Sequence, residues 1–335
     1  MPASFGLIYD FRNPNQEGWV DFYRGMLEQI AWAEKTHDFD AVFLTEHHFA
    51  EDGYSPSLFT IAGAIAQCTE RMTIGTNVLQ LPLHHPLRVA EESLTVDILS
   101  AGRFRLGVGN GYREIEFEAL GTSLRHRRAR MEESVPILRQ AFAGEPFSHE
   151  GQHFSFPEVL VTPLPIRAGG PGVWMGGNSE PAIDRAARLA DGFLALTDED
   201  VGRYLEALDR HGRTVEEAPI SRLYWGLVAE DPERELATVG KDILYQVNKY
   251  VEWGWGDFPV YDDAQKVVED GIYRIWDAAE AVKDLTEHYQ LGVSEFQLFA
   301  RLPGEDLENA SKRIEFVADK VRPRVRDAIA NVAGA

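Results

Sequence analysis

The sequence holds a single cysteine, Cys68, among 335 residues. That excludes an intrachain disulfide and any cysteine-based metal cluster. It lacks an apolar run near the roughly 20 residues that a membrane-spanning helix needs. Cations are also in deficit: 33 Lys plus Arg stand against 54 Asp plus Glu, a formal net charge of −21 at pH 7. Such a surface repels phosphate backbones and anionic lipid, so neither nucleic acid nor a membrane is expected as a partner. Met1-Pro2-Ala3-Ser4 leads directly into the apolar Phe5-Gly6-Leu7-Ile8-Tyr9 without the basic n-region and long h-region of a secretory signal, so a cytoplasmic location is expected.

What is present is alternation. Short apolar runs recur at Phe5–Tyr9, Ala41–Leu44, Met72–Gly75, Phe104–Val108, Val173–Met175, Phe193–Leu196, Leu223–Val228 and Phe296–Phe299. Most lack a two-residue polar alternation, as expected of strands buried on both faces. Between them run helical stripes: Phe22, Met26, Ile30 and Ala33; Leu87, Ala90, Leu94 and Ile98; Met131, Val135, Leu138 and Phe142; Ile183, Ala186 and Ala190. Eight strand–helix units without a break predict an α/β protein with a closed (β/α)8 TIM barrel, here a single domain over residues 1–335. Two stretches exceed the minimal unit and read as inserted loops: 144–172, rich in Pro and Gly, and about 253–275, whose Trp253-to-Asp263 part is aromatic and Gly-punctuated. The latter suits a lid over the barrel mouth, or equally a satellite cluster or subunit contact.

Three constellations sit at strand ends, where parallel α/β folds build their sites. The first is Glu46-His47-His48-Phe49, after the run Ala41–Leu44. Adjacent residues of an extended chain point to opposite faces, so His47 and His48 are poorly disposed to share a metal ion, and no metal is expected. Acid/base work or hydrogen-bond donation is favoured over ligation, alongside the plainer role of a polar cap on the strand. The second is Gly107-Val108-Gly109-Asn110-Gly111-Tyr112. A dinucleotide fingerprint would need glycine where Tyr112 stands, on a first strand and not a fourth. What is left is either close approach of a flat or phosphorylated ligand or close packing of the strand. The third, Met175-Gly176-Gly177-Asn178-Ser179-Glu180-Pro181, runs from a strand into a helix. Asn178 or Ser179 suits the N-cap, and the exposed N–H groups there suit a phosphate.

Taken together, Thr45-Glu46-His47-His48-Phe49, Ile74-Gly75-Thr76-Asn77-Val78-Leu79-Gln80-Leu81-Pro82 with His85-Pro86-Leu87-Arg88-Val89-Ala90-Glu91, Leu99-Ser100-Ala101-Gly102-Arg103-Phe104-Arg105-Leu106-Gly107-Val108-Gly109, and Trp174-Met175-Gly176-Gly177 resemble the bacterial luciferase-like monooxygenase superfamily. The likeness is strong over about residues 4–200 and looser beyond. It implies an FMN-dependent monooxygenase: reduced FMN, supplied by a separate flavin reductase, reacts with O2 to a flavin hydroperoxide that oxygenates a small organic substrate. By position, His47 matches the family's active-site histidine, with Glu46 and His48 beside it to orient it. Asn77-Val78 matches a non-prolyl cis peptide under the flavin ring. Gly109, Asn110 and Tyr112 would line the ring or phosphate, and Gly176, Gly177, Asn178 and Ser179 would hold the phosphate. Luciferase carries a cysteine where this chain has Gly109 and an arginine where it has Asn110, which leaves phosphate charge to backbone N–H groups, Ser179 and Arg113. A homodimer is expected by the same likeness. The superfamily also implies an alternative: a deazaflavin (coenzyme F-420) enzyme that transfers hydride without O2.

Overall fold

In a computed structural model that describes residues 3–256 and 258–333, eight parallel strands close into a barrel. They are β1 (Ser4–Tyr9), β2 (Ala41–Leu44), β3 (Thr73–Thr76), β4 (Phe104–Gly109), β5 (Gly172–Gly176), β6 (Gly192–Ala195), β7 (Ile220–Leu223) and β8 (Val293–Phe299). Each pairs with the next, and Ser4 of β1 opposite Glu295 of β8 closes the ring. This is a TIM barrel. Its strands read as continuous apolar runs because both faces are buried, by side chains within and helices without.

The helix Trp19–His37 buries Phe22, Met26, Ile30 and Ala33, and Arg127–Ala143 buries Met131, Val135, Leu138 and Phe142. The stripe on Pro86–Leu99 is shorter than expected: Ala90 and Leu94 are buried, but Ile98 is 40% exposed. Inside the barrel, Phe43 fills the space that Gly6 and Gly75 leave on the flanking strands. A methyl group at either would stand 2.7 and 2.6 Å from its ring.

The seventh unit departs from the sequence expectation. The barrel strand is Ile220–Leu223, and the Gly226–Val228 half of the apolar run leaves the barrel to pair with Arg274–Trp276 in a separate two-stranded sheet. An apolar run shows that a segment is buried, not which sheet buries it. Between these two short strands lie the helices Pro232–Glu252 and Ala264–Glu269. The 144–172 stretch carries an antiparallel pair, Phe147–Glu150 with Ser155–Val159. Met1, Pro2 and Asp257 fall outside the described residues.

A polar chain crosses the barrel interior. Arg105 on β4 pairs with Glu295 on β8 at 2.7 Å, Ser221 donates to Glu295, Gln297 donates to Ser221, and Asn77 donates to Gln297 at 2.7 Å. Every link joins a donor to an acceptor, the condition under which buried polar groups are tolerated. It ends at the strand tips, under the residues described next.

Candidate active site

Asn77 and Val78 follow β3 directly and are joined by a cis peptide bond. Val78 lies against β4, where a Cβ at Gly109 would stand 2.5 Å from its Cγ2, and against β5, where one at Gly176 would stand 3.0 Å from its Cγ1. At Gly107 a Cβ would fall 1.9 Å from the Thr76 carbonyl oxygen. The glycines of the fourth strand therefore admit the neighbouring chain, so close packing accounts for Gly107 and Gly109. Gly111 is different: its φ of +70° is a left-handed conformation that glycine adopts freely.

Above this ledge lies a cavity of about 360 Å³. Glu46, His47, Asn77, Val78, Gly109, Asn110, Tyr112, Gly176, Gly177, Asn178 and Ser179 all line it, and His48 does not. Lining groups that escaped the sequence are Arg127, Arg128 and the rings of Tyr54, Trp225, Tyr250 and Phe299, and Trp255 of the expected lid stretch joins them. The arginines open the helix Arg127–Ala143, and Glu132 on that helix pairs with Arg185 and Arg188 of Glu180–Leu189. These pairs tie the two helices together, and both arginines line the same cavity as Gly177, Asn178 and Ser179. Arg113, the cation expected there, is committed elsewhere, to Glu116 and the His48 carbonyl. Ser179 is the N-cap of Glu180–Leu189, yet its hydroxyl makes no cap bond. Asn110 Oδ1 is buried without a partner among the described residues.

The histidine is set by a residue far away in sequence. Glu116, fully buried on the short helix Glu114–Ala119, accepts from His47 Nδ1 at 2.9 Å, the His48 N–H at 2.9 Å and Arg113 Nη1 at 2.8 Å, all at one oxygen. Burial pushes the Glu116 carboxyl up, but the bonds from His47 and His48 outweigh it and hold the group below its usual range. An ionised carboxylate only accepts, so Nδ1 carries the proton and Nε2 is left as an acceptor. Tyr112 Oη lies 3.4 Å from that nitrogen. Burial lowers the His47 pKa below 6.5, against the pull of Glu116, so the ring is neutral near pH 7.

Glu46 does not orient His47. Its carboxylate accepts from the Gln80 N–H and sits between His48 Nε2, 3.2 Å away, and His84 Nε2, 2.9 Å away. Burial alone would raise its pKa; His84 and His48 bring it down to about 2. One ligand atom from each of these three residues lies within 4.8 Å of the others, a spacing a metal ion also uses. Hydrogen bonds from both imidazoles to the carboxylate already account for it.

The aromatic stretch after Glu252 closes on this apparatus. The Trp253 ring lies 4.3 Å from the Arg113 guanidinium carbon, 5.2 Å from that of Arg12, and 5.0 Å from the His47 ring. Trp255 stacks on Trp225 at 4.9 Å and 19°.

The cis peptide Asn77-Val78, His47 and Gly176 to Ser179, expected from the sequence likeness to share a site, line one cavity. The family model described as luciferase-like monooxygenase matches residues 5–301. The chain belongs to this family. An alkanal monooxygenase alpha chain of Photorhabdus luminescens is 31% identical over 150 residues, 45% of this chain and 41% of that protein. An F420-dependent glucose-6-phosphate dehydrogenase of Nakamurella multipartita is 28% identical over 232 residues, 63% and 65% of the two chains. Thus the chain spans less than two thirds of the length of these curated relatives. Among solved structures, the oxygenating constituent of 3,6-diketocamphane monooxygenase from Pseudomonas putida, in complex with FMN, superposes with a TM-score of 0.78 at 18% identity, covering 97% of this chain and 99% of that one. That last likeness is one of fold. No helix among the described residues is long and apolar enough to cross a membrane.

Proposed function

We propose that this chain is the oxygenase of an FMN-dependent monooxygenase that acts on a small organic substrate with O2 and reduced flavin. The observation that carries the proposal is a single cavity with three matched parts: an apolar ledge at Val78, an anion-accepting end at Gly177 to Ser179 with Arg127 and Arg128, and the neutral His47 held by Glu116. The groups present fit the cofactor. Two cations, an uncommitted serine hydroxyl and a helix N-terminus suit a phosphate, and the partnerless Asn110 oxygen suits a ring N–H. Reduced FMN would supply the two electrons that activate O2, one oxygen atom going to the substrate and the other leaving as water.

The protein's part is to position and to keep dry. Val78, Gly109 and Gly176 would hold the ring, and the Tyr54, Trp225 and Tyr250 wall excludes water from the reacting face. His47 Nε2 accepts a proton at that face, from the substrate or through Tyr112, and Glu116 stabilises the imidazolium that results.

The test is FMN titration of the purified chain, followed by substrate-dependent O2 uptake in the presence of a flavin reductase. FMN binding with His47-dependent O2 uptake is expected. Tight binding of coenzyme F-420, with hydride transfer and no O2 consumption, would overturn the proposal for the deazaflavin chemistry of the dehydrogenase relative.

A further inference from the structure

Rings make up the larger part of the cavity's apolar lining, with Leu194, Leu196 and Leu223 between them. Tyr54, Trp225, Tyr250, Trp255 and Phe299 face it. They do not lie in one plane: Trp225 meets Tyr250 at 68° and Phe299 at 86°, while Trp255 lies flat on Trp225 at 19°. Such a box offers ring faces in one direction and ring edges in another, the two surfaces that complement a flat π-system.

Few formal charges line the cavity: Glu46 is occupied by Gln80, His48 and His84, and Arg127 and Arg128 are assigned above to the flavin phosphate. Arg12 lies behind the wall, fully buried, its guanidinium 5.1 Å from the Tyr54 ring and its Nε on Asp52. An anionic substrate would therefore enter uncompensated. Hydrogen-bonding groups are nonetheless available: His47 Nε2 with Tyr112 Oη, and the Tyr54–Tyr250 phenol pair, 2.8 Å apart, where one bond between two hydroxyls leaves one hydrogen to donate.

The ring wall continues past the tryptophan pair. Trp225 and Trp255 also line a second cavity of about 740 Å³. Among its charges Asp198 holds Arg222 and His288, Asp284 holds Arg274 and Glu199 holds Arg203, while Asp200 and Glu287 line it as well. A ligand longer than the first chamber thus meets more aromatic wall beside a rim with carboxylates in excess.

We infer that the substrate is a flat, non-anionic aromatic molecule of more than one ring, bearing a ring hydroxyl or carbonyl that His47, Tyr112 or the Tyr54–Tyr250 pair engages. This rests on the flavin site proposed above.

The experiment is calorimetric titration of the oxidised, cofactor-loaded protein with three probes of similar size: 2-naphthol, 1-decanol and 2-naphthalenesulfonate. Naphthol is expected to bind at least tenfold more tightly than either of the others. Trp225→Leu should weaken naphthol about tenfold, the order of one lost ring contact, and leave decanol unchanged. If that variant does not fold, as judged by cofactor binding, Trp255→Leu gives the same comparison. Decanol or the sulfonate binding as tightly as naphthol, or equal losses for naphthol and decanol in the variant, would overturn the inference. The cofactor titration is run first and the probes are measured with whichever of FMN or coenzyme F-420 the protein takes, so the two proposals fail separately.

Discussion

Glu116 is the residue on which the proposed chemistry depends most and which no sequence motif singles out. Three donors converge on one of its oxygens, from His47, His48 and Arg113. In Glu116→Gln the amide oxygen takes that position, because an NH2 there would face three donors. The His47 tautomer is then kept and charge assistance is lost, worth about 1 kcal/mol per bond. Turnover should fall about tenfold. Glu116→Ala is harsher. It strands Arg113, whose side chain is only 9% exposed, and removing one partner of a buried pair costs roughly 3–5 kcal/mol. At about 2 °C per kcal/mol for a chain of this size, the melting temperature drops about 6–10 °C. Free of its partner, the imidazole also loses its fixed tautomer, so turnover should fall about 100-fold or more, within the range of general acid–base catalysis. The pH profile supplies the sign. Glu116 raises the His47 pKa against burial and the charges of Arg113 and Arg12. The parent's acid limb therefore lies below 6.5, and Glu116→Gln moves it lower still. Assays are thermal melting, cofactor affinity, and kcat against pH. Parent-like kcat and an unmoved acid limb in both variants would show that Glu116 does not act through His47.

Three other outcomes are expected. Arg127→Ala combined with Arg128→Ala should weaken FMN at least tenfold in a fluorescence titration while leaving riboflavin, which has no phosphate, nearly unaffected. Gly107→Ala should be destabilised by more than about 3 kcal/mol in urea unfolding, since its new methyl meets a backbone oxygen at 1.9 Å and overpacking against rigid backbone exceeds the usual 1–3 kcal/mol. Glu46, held down at about 2 by His84 and His48, stabilises the fold above its ordinary pKa of about 4.5, and that contribution is lost as pH falls toward 2. Its carboxylate in turn raises His84, so Glu46→Gln should lower the His84 pKa in an NMR titration, and an unmoved His84 would refute the pairing.

The barrel itself is legible in the chain because its determinants are local. Eight apolar runs separated by helical stripes leave few topologies other than sequential parallel closure, and seven of the eight fall on the barrel strand that forms there. The miss at Leu223–Val228 has a local cause too: the run is apolar throughout because both Ile220–Leu223 and Gly226–Val228 are buried, in different sheets. Periodicity reports burial, and register decides the partner. That Asn77-Val78, Gly109 and Gly176 to Ser179 belong at strand tips was readable for the same reason, as contiguous motifs, and all of them line one cavity.

The remainder required three dimensions. His47 and Glu116 are 69 positions apart, so no spacing rule joins them, and the nearer acid, Glu46, is drawn away to His48 and His84 because successive residues of a strand end face opposite ways. Arg113, expected from the family likeness to help meet a phosphate, is held by Glu116 and the His48 carbonyl, and the arginines that line the cavity, Arg127 and Arg128, lie on another helix. The aromatic box assembles rings from positions 54 to 299. The sequence by itself determined the barrel, the family and the strand ends that carry chemistry, since these rest on short-range pattern. Which acid bonds the histidine, which cations line the cavity and which rings wall it were decided only by tertiary structure, since each depends on side chains brought together by barrel closure.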